Sequence, residues 1–376
     1  MTLDVTAFLQ TLLACPSVTP VDGGALDVVS STLERLGFVV TRLDFGPADA
    51  PTPNLFARLG DGGPHLCFAG HTDVVPPGAS WRYGPFDGIV ADGILYGRGA
   101  VDMKGGIAAF IAAVADVVAR GGPNGTISLL ITGDEEGPAR HGTREVLPWM
   151  AANGHIPDFC LLGEPTNPSA MGEMIKIGRR GSLSATITVR GVQGHVAYPH
   201  RADNPNHRLI DILHDLTHHV LDEGTEAFEP SSLQITSMDV GNPTTNVIPA
   251  IARASLNIRF NDRHRGDDLV AWIERVVARH APDAEVDARI SGEAFLTAPG
   301  EAVRCLSAAV EKVTGHAPVL DTGGGTSDAR FIAAYCPVAE FGLVGASMHK
   351  ADEHVALADL RQLRDIYREF MEAFGL

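Results

Sequence analysis

Three short apolar runs in this chain each end in side chains that ligate metals. Leu66-Cys-Phe-Ala-Gly leads into His71-Thr72-Asp73. Ile127-Ser-Leu-Leu-Ile-Thr leads into Gly133-Asp134-Glu135-Glu136, and Phe159-Cys-Leu-Leu leads into Gly163-Glu164-Pro165. Apolar runs of this kind are strands buried on both faces, which belong to parallel sheets covered by helices. In such sheets ligands bind at the carboxyl ends of the strands. Carboxylates crowded there without a cation would repel one another and raise their pKa values. A histidine among several carboxylates at strand ends is therefore a candidate divalent-metal site. Two further segments carry ligand-type residues: Gly97-Arg-Gly-Ala-Val-Asp102-Met-Lys104-Gly-Gly, and Met348-His349-Lys350.

Helical periods near 5–14, 24–36, 104–119 and 142–152 alternate with strand-like runs near 54–59, 66–69, 127–132 and 159–162. That alternation predicts an α/β fold with a mixed, mostly parallel sheet and helices on both faces. From about residue 180 the period changes. Leu183, Ala185, Ile187 and Val189 alternate with Ser184, Thr186, Thr188 and Arg190, the period of a strand with one wet face. A helix through Leu209–Val220, strands near 233–240 and 252–260, a helix through Leu269–Val277 and a strand near 284–290 follow. The order β-α-β-β-α-β predicts an inserted ferredoxin-like α+β domain. Helix 301–313, strand 338–341 and helix 357–374 then resume the first pattern. The expected division is 1–179 and 294–376 for one domain and 180–293 for the insert. His349 joins the other ligand-type residues only if both outer parts form one domain.

The chain has 376 residues, 45% hydrophobic and 20% charged, enough for a full core in each of two domains. Its formal net charge of −17 repels nucleic acid and anionic membrane surfaces, so neither is an expected partner. The five cysteines form no C-x-x-C pair, and Cys67 and Cys160 read as small buried hydrophobes. Their odd number and an amino terminus without a basic region fit a reducing cytoplasm. The apolar helix 106–119 is too short to span a bilayer.

Each motif has a plain alternative. His71-Thr72-Asp73 reads as a polar turn or as a ligand whose second ring N–H is held by the Asp73 carboxylate. The glycine-rich segment is not a dinucleotide loop, because Asp102 stands where the third glycine would be, and Gly-Lys-Ser/Thr is absent. Lys104 reads as a solvated side chain. Asp134, Glu135 and Glu136 are either loop charges or carboxylates dividing the labour of ligand and general base. His354 rivals His349, and His195 reads as a loop histidine. With no H-E-x-x-H and no G-x-S-x-G, water activated by a metal is the remaining nucleophile.

The whole set, with Thr166 after Glu164-Pro165, resembles the di-zinc aminoacylase/carboxypeptidase family of metallohydrolases, in order and over nearly the whole chain. The likeness is strongest to members that act on N-succinyl-LL-2,6-diaminopimelate. It is carried there by Lys176-Ile-Gly-Arg179-Arg180, Gly191-Val-Gln-Gly-His195-Val-Ala-Tyr198, Asn246-Val-Ile-Pro and Thr322-Gly-Gly-Gly-Thr326-Ser-Asp. The resemblance implies a zinc-peptidase-like catalytic domain, a dimerisation role for the insert, and a cytoplasmic homodimer. It implies hydrolysis to succinate and LL-2,6-diaminopimelate, a step of lysine and diaminopimelate biosynthesis. It also implies two Zn2+ per subunit, with Co2+ or Mn2+ able to replace one. By position, Asp102 bridges the ions, His71 and Glu164 complete one site, and Glu136 and His349 the other. Glu135 is the general base, Asp73 supports His71, and His195 donates to the oxyanion from the partner subunit. Lys176, Arg179, Tyr198, Asn246, Arg259 and Thr326 meet the substrate. A cis peptide between Asp102 and Met103 is implied as well. The family commonly has Asn-Ala-Thr where this chain reads Gly345-Ala346-Ser347.

Two other readings compete. One is a different amidohydrolase of the same family, an acetylornithine deacetylase or a dipeptidase. The other is a non-catalytic metal-dependent binding protein, which would have no need of a free Glu135 beside the ligands.

Overall fold

The computed structural model describes residues 3–376. They form two compact units. The first comprises the described residues up to Ile177 with Thr297–Asp321 and Ser327–Leu376; the second comprises Gly178–Leu296 with Thr322–Thr326.

The first unit is built on an eight-stranded sheet. In spatial order its strands are Val39–Phe45, Thr52–Leu59, Thr126–Thr132, His65–His71, Phe159–Leu162, Val338–Glu340, Met174–Lys176 and Val319–Asp321. The four central strands, from Thr126–Thr132 to Val338–Glu340, run parallel. Antiparallel pairings flank them. Alternate side chains point to opposite faces, as strand geometry requires. Leu55, Leu66, Phe68, Ile127, Leu129 and Phe159 pack under helices Val5–Leu13, Lys104–Ala119, Glu301–Thr314 and Leu357–Ala373. Phe56 faces the other way, its ring 5.5 Å from Trp149 of helix Thr143–Ala152. Each large side chain so buried contributes about 1.5–3 kcal/mol.

Helix Lys104–Ala119 is buried almost all round, which its alanine-rich sequence, charged only at Lys104 and Asp116, permits. Its first turn lies against the turn after Phe159–Leu162. A Cβ on Gly106 would meet the Gly163 carbonyl oxygen at 2.6 Å, so the close approach needs glycine there. Lys104 is not solvated, contrary to the sequence expectation. It has no exposed surface, and its ammonium donates to the carbonyls of Leu12 (3.0 Å) and Cys15 (2.8 Å). Leu12 lies in the last turn of the first helix and Cys15 just past it, and each carbonyl also accepts a backbone N–H, from Cys15 (3.2 Å) and from Ser17 (2.8 Å).

The second unit has the expected β-α-β-β-α-β order. Its sheet runs Ser232–Asp239, Ile251–Phe260, Gly181–Arg190, Glu285–Gly292, all antiparallel. Helices Pro205–His218 and Gly266–His280 cover one face and share a core with Leu183, Ile187, Leu256 and Ile258. The segment Thr322–Thr326 belongs here rather than to the outer part to which the sequence reading assigned it. The Thr322 hydroxyl donates to Ala227, and Arg179 donates to the Gly323 carbonyl at 3.1 Å. Among the described residues no helix is long and apolar enough to cross a membrane.

Candidate metal centre

Three of the parallel strands end side by side, and the middle one carries His71 as its last residue. Its neighbours end just before Glu135 and Glu136 on one side and Glu164 on the other. Asp102 enters from the turn that opens helix Lys104–Ala119, and the peptide after it is cis, as the resemblance implied. His349 enters from the turn after Gly345–Ser347 with φ of 59°, a left-handed conformation uncommon outside glycine and concentrated at functional sites. All five expected ligands, with Glu135, thus lie in the first unit.

The two oxygens of Asp102 face different imidazoles. Oδ1 is 3.2 Å from His71 Nε2, and Oδ2 is 3.2 Å from His349 Nε2. His71 Nε2 is also 3.7 Å from Glu164 Oε1, and His349 Nε2 is 2.9 Å from Glu136 Oε1. Ligand-type atoms of His71, Asp102 and Glu136 lie within 4.8 Å of one another, as do those of His71, Glu135 and Glu164. Proximity alone therefore does not separate Glu135 from the ligands.

Asp73 departs from its expected contact. His71 Nδ1 donates to the backbone carbonyl of Asp73 at 2.9 Å, while the Asp73 carboxylate stands at 3.6 Å. That carboxylate accepts instead from the backbone N–H of Glu135 (3.2 Å) and Glu136 (3.0 Å) and from the Thr19 hydroxyl (2.7 Å). The neighbouring turn offers two unpaired N–H donors, which satisfy both oxygens better than one imidazole would. With Nδ1 donating to that carbonyl, His71 Nε2 faces Asp102 and Glu164, where a proton or a cation must stand between nitrogen and oxygens.

The charges are unbalanced. Asp73, Asp102, Glu135, Glu136, Glu164 and Asp328 outnumber the two histidines. Burial raises Glu164 well above the ordinary carboxylate range, with Asp102, Glu135 and Glu340 adding repulsion against the opposing pull of His71. Glu135 is raised in the same way, by loss of water first, with His71 opposing and Asp328, Asp102 and Glu136 adding to it. Burial would lower His71, but Asp102, Glu164, Glu135 and Asp73 drive it well above its usual value. Hydrogen bonds to Asp102 and Glu136 push His349 up to about 10. Glu164 Oε1 is buried and has no hydrogen-bond partner among the described residues. Carboxylates crowded around two imidazole nitrogens, an orphaned buried oxygen and surplus negative charge are all relieved by divalent cations. The mixed N and O donors suit zinc.

Two buried acids had no role in the sequence reading, although Asp328 closes the segment Thr322-Gly-Gly-Gly-Thr326-Ser-Asp quoted there. Asp328, bonded to Thr143 and pushed up to about 6 by burial, has an oxygen without a partner among the described residues. Glu353 binds the turn that carries Asp102. For Glu353 the charges in Arg98 and in Asp352-Glu353, flanking a glycine-rich and a histidine segment, were the only hints.

Lys176 was expected to meet substrate. It is largely buried, and its ammonium pairs with the Asp321 carboxylate in the same unit. The other expected substrate residues belong to the second unit. There His195 pairs with Val247, its Nδ1 accepts from Ala197 N–H at 3.1 Å, and Val196 N–H donates to the Asn246 carbonyl. The Tyr198 ring lies 5.6 Å from that of His195. His195, Tyr198 and Asn246 therefore share one exposed corner. Arg259 lies opposite Ser182 on the inner strands, and Thr326 ends the segment that Arg179 contacts through Gly323.

The family model described as peptidase family M20/M25/M40 matches residues 67–373. Succinyl-diaminopimelate desuccinylase of Gluconobacter oxydans (strain 621H) is 62% identical over 373 residues, covering 99% of this chain and 98% of that protein. The protein of the same name from Gluconacetobacter diazotrophicus is 66% identical over 363 residues, 96% of this chain and 94% of that one. Among solved structures, an M20 family metallo-carboxypeptidase from Sulfolobus solfataricus has a TM-score of 0.80 at 17% identity, covering 99% of this chain and 100% of that one. A dinuclear metal binding peptidase of the M20 family from Bacillus subtilis has a TM-score of 0.72, also at 17% identity, covering 99% and 96%. At such identities the structures speak for the fold.

Proposed function

Because the chain belongs to the M20/M25/M40 peptidase family, we propose that it is a divalent-metal-dependent amide hydrolase acting on N-succinyl-LL-2,6-diaminopimelate. The products are succinate and LL-2,6-diaminopimelate, within cytoplasmic lysine and diaminopimelate biosynthesis. One observation carries the chemistry: Asp102 offers one oxygen to the surroundings of each of two histidines, with Glu135 beside them. The substrate rests on the desuccinylases 62% and 66% identical over nearly the full chain.

In this reading His71 and Glu164 would hold one ion and Glu136 and His349 the other, with Asp102 contributing to both sites. Zinc fits both places, and cobalt or manganese could replace it in one. When bound, the ions supply Lewis-acid polarisation of the scissile carbonyl and a more acidic attacking water. Glu135 takes the proton from that water and returns it to the departing amine. Asp73 holds the Glu135–Glu136 turn through its backbone N–H groups, which fixes where the base stands. Arg179, Arg259, Tyr198, Asn246 and Thr326 hold the substrate carboxylates, a task suited to the planar guanidinium fork. Lys176, already paired with Asp321, is left out of that set. The second unit pairs with its copy in a homodimer, and His195 of one subunit donates to the oxyanion formed in the other.

The test compares turnover of N-succinyl-LL-2,6-diaminopimelate with that of N-acetylornithine by the zinc-loaded chain. Faster cleavage of acetylornithine would remove the substrate reading and leave the amide hydrolase. Glu135→Gln should keep both ions and lose about 100- to 10,000-fold in turnover. Near-normal turnover in that variant would refute the assignment of the base.

A further inference from the structure

Glu353 has no exposed surface and stands one residue before the strand His354–Ala356. Its side chain is filled with donors from one turn. Oε1 accepts from the N–H of Val101 (2.9 Å) and of Asp102 (3.1 Å). Oε2 accepts from the N–H of Gly99 (3.0 Å) and from Arg98 Nη1 (2.7 Å). The backbone carbonyl of Glu353 accepts from Gly97 N–H at 2.9 Å. One residue thus gathers five bonds from the segment 97–102.

Stability alone is a weak reason for such an arrangement. Buried ion pairs are often replaceable by apolar side chains without loss of stability. What apolar side chains cannot supply is a grip on particular backbone N–H groups. The grip matters because each Asp102 oxygen faces a different histidine, so a small rotation of that carboxylate loses one of the two contacts. The same residue also ends the turn that carries His349, in which His349 and Asp352 both have left-handed φ of 59° and 56°. Strand His354–Ala356 pairs with Ile94–Tyr96, just before the Asp102 turn, and sets where Glu353 sits. Glu353 therefore ties together two ligand-bearing segments that are far apart in the chain.

We propose that Glu353 is a positioning residue that fixes the Asp102 carboxylate and seats His349 against it, and so sets the affinity for the ion between them. The inference rests on the metal reading above. It is tested on chain stripped with a chelator and titrated with Zn2+ against a chromogenic chelator, alongside apo-protein melting and circular dichroism. Wild type should take up two ions. Glu353→Gln keeps the shape but turns an amide N–H2 toward backbone donors. It should weaken at least one ion by about 10- to 100-fold, the usual effect of losing a group that orients a ligand. Glu353→Asp, charged but shorter, should fall between, and it carries the test if the Gln variant does not fold. A lower melting temperature with unchanged affinity for both ions in the folded variants would mean a purely structural role and overturn the proposal. Failure of wild type to bind any divalent ion would instead remove the metal reading, and this inference with it.

Discussion

Replacing Asp73 by Asn separates two ways in which this residue could act. Asp73 is almost wholly buried, and its oxygens receive Glu135 N–H at 3.2 Å, Glu136 N–H at 3.0 Å and the Thr19 hydroxyl at 2.7 Å. Asn offers one acceptor oxygen and one N–H2 group, so at least one of those donors meets another donor. Losing a hydrogen bond to a charged group costs about 1.5–3 kcal/mol. If that loss is felt where Glu135 must be placed for proton transfer, the rate falls about 10- to 150-fold. His71 is held by the Asp73 backbone carbonyl, which the substitution leaves in place. The expected result is a drop in kcat at saturating zinc, with two ions still bound. Thr19→Val removes only the hydroxyl donor and should lower kcat by a few-fold, in line with about 1 kcal/mol. The assay is initial rate against substrate at several zinc concentrations, with metal content measured on the same samples. Full recovery of Asp73→Asn at high zinc would show that the residue serves metal binding through His71. An unchanged kcat would show that the clamp on the turn is idle.

Other outcomes follow from buried charges and from the second unit. Lys104→Met should destabilise the chain by about 1 kcal/mol at alkaline pH, because the Leu12 and Cys15 carbonyls lose the amine and keep only the N–H of Cys15 and of Ser17. Burial pulls the Lys104 amine down to about 8 from its usual 10.5, so folding favours the neutral form. Its contribution is full above 10.5 and shrinks as pH falls through 8. Wild type should therefore lose up to about 3 kcal/mol relative to the variant between alkaline and neutral pH, enough to cancel or reverse its advantage, and an equal gap in urea unfolding at pH 7 and 9.5 would refute this. Asp222 accepts from Gly224 N–H, Asn261 and His264 at 2.6–2.9 Å; burial would raise its pKa, but bonds from Ser231, Gly224 N–H and Asn261 hold it well below the usual carboxylate range. Asp222→Asn should cost about 2 kcal/mol above pH 4, with the two proteins converging as acid protonates the wild-type carboxylate. Trp272, the second unit's own tryptophan, reports that transition. Mixing inactive Glu135→Gln with inactive His195→Ala should restore activity as subunits exchange; no recovery would place His195 in its own subunit's site.

The strands that carry His71, Glu135, Glu136 and Glu164 were legible because a strand buried on both faces writes itself as an unbroken apolar run. The second unit was equally plain, since a one-sided sheet alternates. Asp102 and His349 were different. Their residue types were visible, but only the resemblance joined them to the others, because no local pattern says that residue 349 returns to the ends of strands begun near residue 65. Strand Val39–Phe45 was missed: it is an edge strand with one fully buried side chain, so its period is faint. Lys104 and Glu353 were illegible for a common reason. Their partners are backbone atoms of distant turns, and a sequence prints no sign of a backbone donor or acceptor left open by folding. Asp73 misled through adjacency, since the nearest imidazole in sequence was not the nearest donor in space.

The strand Phe159–Leu162 has one parallel neighbour in His65–His71 but finds the other only at Val338–Glu340, after the whole second unit has been threaded between them. A ribosome therefore delivers His71, Asp102, Glu135, Glu136 and Glu164 well before His349. At about 5–20 residues per second the delay from Glu164 to His349 is on the order of ten to forty seconds. During it the nascent chain holds a crowd of carboxylates whose last imidazole and whose Glu353 grip do not yet exist. The second unit, nearly continuous in sequence, has its own core and is the first piece able to condense. On the proposed metal reading, translation order would work as a timer on metal loading: an ion captured before residue 349 emerges would be held by an unfinished set of donors.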